Sequence, residues 1–193
     1  MNVLEIVLMV AGISLDLFAA IENEGAKLAQ IRKKTLFINT CLVTLLQLAF
    51  FFGGYAACFK LNSLGVFQNT RGFGEAIAFL VFAFLGVMLF IKGVRKYDVE
   101  EKRSEITKMT YVRIIAVTTI YTLIAGCAAG ILSANVILLF IMIIICSIAV
   151  VILGLYTGYL QGSRFRSILY IIGAVLLWIA GIGILIRIIG MYV

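Results

Sequence analysis

Six apolar runs of bilayer length follow one another along this chain, at approximately 2–22, 35–59, 74–94, 111–132, 135–160 and 168–190. A hydrocarbon core of ~30 Å takes about 20 residues of helix to cross, and lipid leaves backbone amides no partner except those the helix itself supplies. The pattern therefore predicts an all-α fold, a polytopic membrane bundle of six transmembrane helices. Composition agrees, since 64% of the residues are hydrophobic and 13% charged, against about 45–50% and about 25% in soluble domains.

The charges sort by connection. Lys27, Arg32, Lys33, Lys34, Lys92, Arg95, Lys96, Lys102, Arg103, Lys108, Arg113, Arg164 and Arg166 lie at the connections after runs one, three and five, helix ends included. Only Lys60, Arg71 and Arg187 of the 16 basic residues fall on the other side. Cytoplasmic loops carry the excess of Lys and Arg, so both termini are expected outside. The net charge of +7 then reflects topology in a lipid bilayer, and no nucleic-acid partner is expected. The N-terminus, "MNVLEIVLMV", lacks the basic start of a signal peptide, so the first run is expected to be a retained span.

Three runs per half is an odd number, so a repeat between halves must be inverted in the membrane. Ser14, Asp16 and Gly25 stand at the spacing of Thr119, Tyr121 and Gly130, and "GGY" at 53–55 is echoed by "TGY" at 157–159. The expected organisation is a first three-helix repeat over 1–94, a cytoplasmic charged linker over 95–109 ("RKYDVEEKRSEITKM") and a second three-helix repeat over 110–193. Gly86, Gly93 and "GIG" at 181–183 are expected where helices approach closely; a hinge is the alternative.

Composition also removes chemistries. With no His there is no imidazole ligand or His proton relay. Cys41, Cys58, Cys127 and Cys146 stand singly in apolar runs and read as small buried hydrophobes. No nucleotide-binding motif couples ATP, and no nucleophile–base pair marks an enzyme. Neither catalytic residues nor a bound cofactor are expected.

One side chain stands apart. Asp16, in "AGISLDLFAA", is a carboxylate within the first apolar run. An intramembrane acid costs roughly 2.5–3.5 kcal/mol on insertion scales and is a functional candidate by default. The alternative is a neutral carboxyl hydrogen-bonded between helices. Asn23 follows two helical turns on, nearly on the same face. Asn39, Thr44 and Gln47 in run two, and Thr118, Thr119, Tyr121 and Thr122 in run four, add oxygen donors, which suit magnesium, calcium or manganese. Hydroxyls in spans also bond to their own helix backbone. Glu22 and Glu24 are expected to form a solvated helix end.

"GISLDLFAA" followed by "EGAKL" resembles the first-helix signature of the MntP-type manganese efflux pumps, six-helix bacterial inner-membrane proteins with both termini outside. "LLQLAFFFGGY" at 45–55, "FLGVMLFIKG" at 84–93 and "AVTTIYTLIAGCAAGIL" at 116–132 are similar to the second-, third- and fourth-helix patterns, although Phe51 stands where a proline is usual. The resemblance implies export of a small divalent cation, manganese, by alternating access. It makes Asp16 a metal ligand and Gln47 a pore-lining donor, with Asn23, Thr119 and Tyr121 as further oxygen donors. Two positions depart from the family. Tyr121 stands where a second Asp is usual, and Lys92 where a Glu is usual near the end of the third helix. A lysine there is expected to extend to the headgroups; turned inward, it would pair with Asp16 in the cation's place. A non-transporting binding or regulatory protein of the same fold, or an exporter of a small organic solute, are the alternative functions.

Overall fold

A computed structural model describes residues 1–27, 33–64, 72–95, 108–162 and 164–192, with side chains described over 1–27, 36–64, 72–95, 118–162 and 164–190. The fold is all-helical. Six helices follow the six apolar runs: α1 (Val3–Gly25), α2 (Lys33–Ser63), α3 (Phe73–Val94), α4 (Lys108–Ile131), α5 (Val136–Gln161) and α6 (Arg166–Tyr192). Five of them are long and apolar enough to cross a membrane over their described residues, and α4 contributes the shorter apolar stretch Thr118–Ile131. Most of the 95–109 linker, residues 96–107, lies outside the described residues.

Local chemistry sets the ends. The Asn135 side chain accepts from the backbone N–H groups of Ile137 and Leu138 (3.1 and 3.2 Å), satisfying two of the donors that a helix start leaves free. At the other end of α5, Gly162 adopts φ 71°, a left-handed conformation that suits glycine.

Glycines decide which helices touch. A Cβ on Gly54 of α2 would strike the Leu123 carbonyl of α4, and one on Gly126 or Gly130 of α4 would strike the carbonyls of Phe51 or Tyr55. Residue numbers rise together along this contact, so α2 and α4 run parallel. The same holds for α1 and α5, where Gly158 meets the Glu22 carbonyl and Gly154 lies against Phe18 and Ile21. Helix α6 runs antiparallel to α1, with Gly12 and Gly173 facing one another, and antiparallel to α3, with Gly86 against Trp178 and Gly93 against Ser167 and Ile171. The expected small-residue contacts at Gly86 and Gly93 are therefore present. Close backbone approach is the main packing device available to apolar helices in lipid, where no hydrophobic driving force pulls them together.

Inside, Ile6, Met9, Phe51, Phe82, Leu85, Leu139, Leu177 and Ile184 pack into one apolar core. Outside, Leu45, Leu80, Ile137, Ile145 and Ile186 form part of a broad apolar belt suited to acyl chains. The cysteines depart from expectation: Cys41 is exposed and the other three are only partly buried. Cys41 faces outward on α2, where a lipid-facing position accepts the same apolar residues as a core.

Candidate functional site

Helices α1, α3, α4 and α6 meet around one ion pair. The Lys92 Nζ of α3 donates to the Asp16 Oδ1 of α1 at 2.7 Å. The carboxylate is 1% exposed and the lysine side chain 16%. The same ammonium lies 3.7 Å from the centre of the Tyr121 ring of α4 and 5.5 Å from that of Tyr170 of α6. Aromatic faces attract a desolvated cation through their quadrupole, so both rings help hold the ammonium inside the bundle. Asp16 Oδ2 has no hydrogen-bond partner among the described residues.

The sequence-based expectation for Lys92 is thus corrected. The side chain does not extend to the headgroups, because its four-carbon stem reaches inward to a buried opposite charge. A lone anion in low dielectric binds a cation more strongly than water at a bilayer surface does. Asp16 and Tyr121, which the sequence spacing pairs, both contact Lys92.

The other expected donors lie elsewhere. Gln47 and Thr119 line a small enclosed cavity of about 10 Å³ with Ile13, Leu17, Val43, Thr118 and Thr122. That is about the volume of one water. Gln47 is also 2.6 Å from the Ser147 hydroxyl of α5, which is itself 2.6 Å from the Ile143 carbonyl. A hydroxyl has one proton, so Ser147 shares it between the Gln47 Oε1 and the Ile143 carbonyl, both of which accept. Thr122 donates to the Thr118 carbonyl of its own helix at 3.1 Å, as hydroxyls in spans commonly do. Thr44 is buried, with its hydroxyl unpartnered among the described residues. Asn39 is only partly buried.

Asn23 stands at the end of α1, where it accepts from Arg166 Nη1 at 3.0 Å. Beside it, Glu22 Oε1 accepts from the Phe165 backbone N–H at 3.1 Å, and Glu24 pairs with Lys27 at 2.9 Å. Glu22 is fully buried and Glu24 is 4% exposed. The expected solvated helix end is therefore a buried polar latch between α1 and the start of α6. The signal that reasoning along the chain lacked is a partner on α6, far away in sequence. The five expected donors thus occupy three neighbouring places in this conformation. Among the described residues no group of three or more His, Cys, Asp or Glu side chains gathers for a metal.

The opposite end of the bundle holds a wider recess of about 290 Å³, lined by Met1, Asn62, Gly74, Glu75, Ile131, Leu132, Ser133 and Arg187. From Glu5 to Asp16 is about 16 Å of helix. Over that stretch the inward residues are apolar (Ile6, Met9, Val10 and Ile13 of α1, Ala78, Phe82, Leu85 and Leu89 of α3, and Ala125, Ala128 and Ala129 of α4) except Ser14, whose buried hydroxyl has no partner among the described residues. The ion pair is sealed from this recess by packed hydrocarbon.

A helical bundle with five helices long and apolar enough to cross a membrane among its described residues, and a charged pair held between them, defines a multi-pass membrane protein. The family described as "Putative manganese efflux pump" matches residues 30–185, and this chain belongs to it. A curated relative from Clostridium perfringens (strain 13 / Type A), named "Putative manganese efflux pump MntP", is 26% identical over 97% of this chain and 95% of its own length. Relatives of the same name from Aliarcobacter butzleri and Crocosphaera subtropica are each 24% identical, covering 94% and 97% of this chain and 98% and 97% of their own lengths. No solved structure matches the chain.

Proposed function

We propose that this protein exports a small divalent cation, manganese being the ion for which its relatives are named, by alternating access and without a bound cofactor or enzymatic chemistry. One observation carries the reading of the site: Asp16, buried where four helices meet, keeps one carboxylate oxygen unpartnered among the described residues. A hard or borderline divalent ion favours such an oxygen, and a site deep in the bundle is where alternating access needs it.

The packing supports an inverted repeat. Leu123 follows Tyr121 by two residues as Phe18 follows Asp16, and Gly54 packs on the Leu123 carbonyl as Gly154 packs on that of Phe18. Gly130 meets the Tyr55 carbonyl as Gly25 meets that of Leu155. This register equates Gly54 with Gly154, one turn from the "GGY"/"TGY" match. Rocking of one half against the other would open the polar latch on one side or the apolar seal on the other. Basic-residue placement puts the latch in the cytoplasm and the recess and both termini outside, in a bacterial plasma membrane.

A non-transporting member of the same fold is the second reading, favoured by one fact: the Lys92 ammonium already sits in the cation's place. The test is intracellular manganese in a bacterial host lacking its own exporter. Expression of the chain should lower it, and Asp16→Ala should restore it to the vector level. Unchanged manganese with the intact, membrane-inserted chain would overturn export and leave the second reading.

A further inference from the structure

We propose that Lys92 is a tethered cation that competes with the transported ion for Asp16 and so determines which ions the site admits. The inference rests on Asp16 being the ion's carboxylate and adds the residue that sets its selectivity. Three observations carry it. The ammonium is 2.7 Å from Asp16 Oδ1, at the position a monovalent ion would take. It is held there by a covalent stem that keeps its local concentration high whatever the solution contains. It also has somewhere to go: Lys92 lies two residues from the end of α3, and its side chain is 16% exposed.

The consequences follow from charge. With Lys92 inside, carboxylate and ammonium cancel, and the empty site is neutral in a medium where net charge is costly. Sodium or potassium brings one positive charge against a tethered rival of the same charge, with no gain in attraction and a hydration shell to lose. A divalent ion brings twice the charge and takes up the unpartnered Asp16 Oδ2 as well. After displacement the ammonium must leave the neighbourhood, since a divalent ion beside one carboxylate already leaves a surplus of positive charge. The long stem lets it reach the bilayer surface. Lys92 thus has two stations: inside when no ion is bound, outside when one is. Tyr121 belongs to the same device, because its ring faces the ammonium at 3.7 Å and steadies the inward station without adding a second anion.

The experiment uses the full chain purified in detergent, with manganese chloride as the probe and free manganese read by its paramagnetic resonance. The apparent dissociation constant scales inversely with the fraction of sites free of Lys92, so an inward station occupied ~90–99% of the time weakens binding ~10- to 100-fold. Lys92→Gln should therefore bind manganese tighter by that factor. Its binding should weaken in sodium chloride relative to choline chloride at equal ionic strength, whereas that of the wild type should not. Lys92→Arg, which keeps the charge, should bind no tighter than wild type and decides the matter if Lys92→Gln does not fold. Asp16→Asn combined with Lys92→Gln should lose the gain. Lys92→Gln binding no tighter than wild type, or Lys92→Arg binding tighter, overturns the inference while export can stand. A gain that survives Asp16→Asn removes Asp16 as the ion's carboxylate, and the inference falls with that assignment.

Discussion

Asp16, Lys92 and Tyr121 form a unit in which no single substitution is neutral. Removing one partner from a buried ion pair typically costs about 3–5 kcal/mol, because the other charge is left without compensation. Tyr121→Asp with Lys92→Glu changes the sign of the whole site. The two substitutions alter the local charge by −1 and −2 and place carboxylates where the resembling family usually has them. Without metal, three buried acids repel one another, and the double variant should melt below wild type. With manganese at about 100 times its dissociation constant, binding should add about 2.7 kcal/mol of stability. Melting curves in detergent, with and without manganese, give the comparison. Equal stabilisation of wild type and double variant would show that charge at these two positions is not what limits the site.

Neighbouring glycines of α2 separate the two uses of the residue at the scale of an element. Gly54 faces the Leu123 carbonyl of α4 at a distance that leaves no room for a methyl group, whereas nothing lies within 4 Å of a Cβ on Gly53. Gly54→Ala should force α2 and α4 apart and cost about 1–3 kcal/mol, the usual penalty of overpacking. Gly53→Ala should instead gain up to about 1 kcal/mol from helix propensity. Thermal denaturation of the two variants checks the difference. Similar melting temperatures would mean that α2 and α4 do not pack as described. The contact matters for transport as well as stability, since it joins the first half of the chain to the second.

The whole molecule combines two unlike closures with a charged centre between them. Toward one end lies the Glu22–Phe165 and Asn23–Arg166 latch; toward the other lie packed hydrocarbon and the recess lined by Glu75 and Arg187, with Glu5 at 3.7 Å from Arg187. Polar closures exchange readily for water, and apolar ones open only when helices separate. The proposed orientation assigns the first to the cytoplasm. In a background without the four native cysteines, single cysteines at 62–70 and at the C-terminus should react with an impermeant maleimide added to intact cells, while those at 98–106 should not. The asymmetric placement of basic residues is the warrant. Labelling of 98–106 from outside would invert the protein and with it the assignment of the two closures.

The chain's own sequence determined the number of helices, their ends to within a few residues and the acid that occupies their centre. Apolar run length and the cost of an unsatisfied backbone or charge in lipid are properties of single segments, legible without knowing the neighbours. What only the tertiary structure decided is which partners these residues find. Lys92 turned inward because a buried carboxylate on another helix lay within reach of its stem, and Glu22 became a buried acceptor because the start of α6 folds onto it. Gln47 and Thr119 line a small cavity with Ile13 and Leu17 of α1, which Asp16 between them does not line. Each of these outcomes is a contact between residues far apart in the chain. Such contacts depend on close glycine-mediated approach of helices, which run lengths and spacings along one segment do not encode.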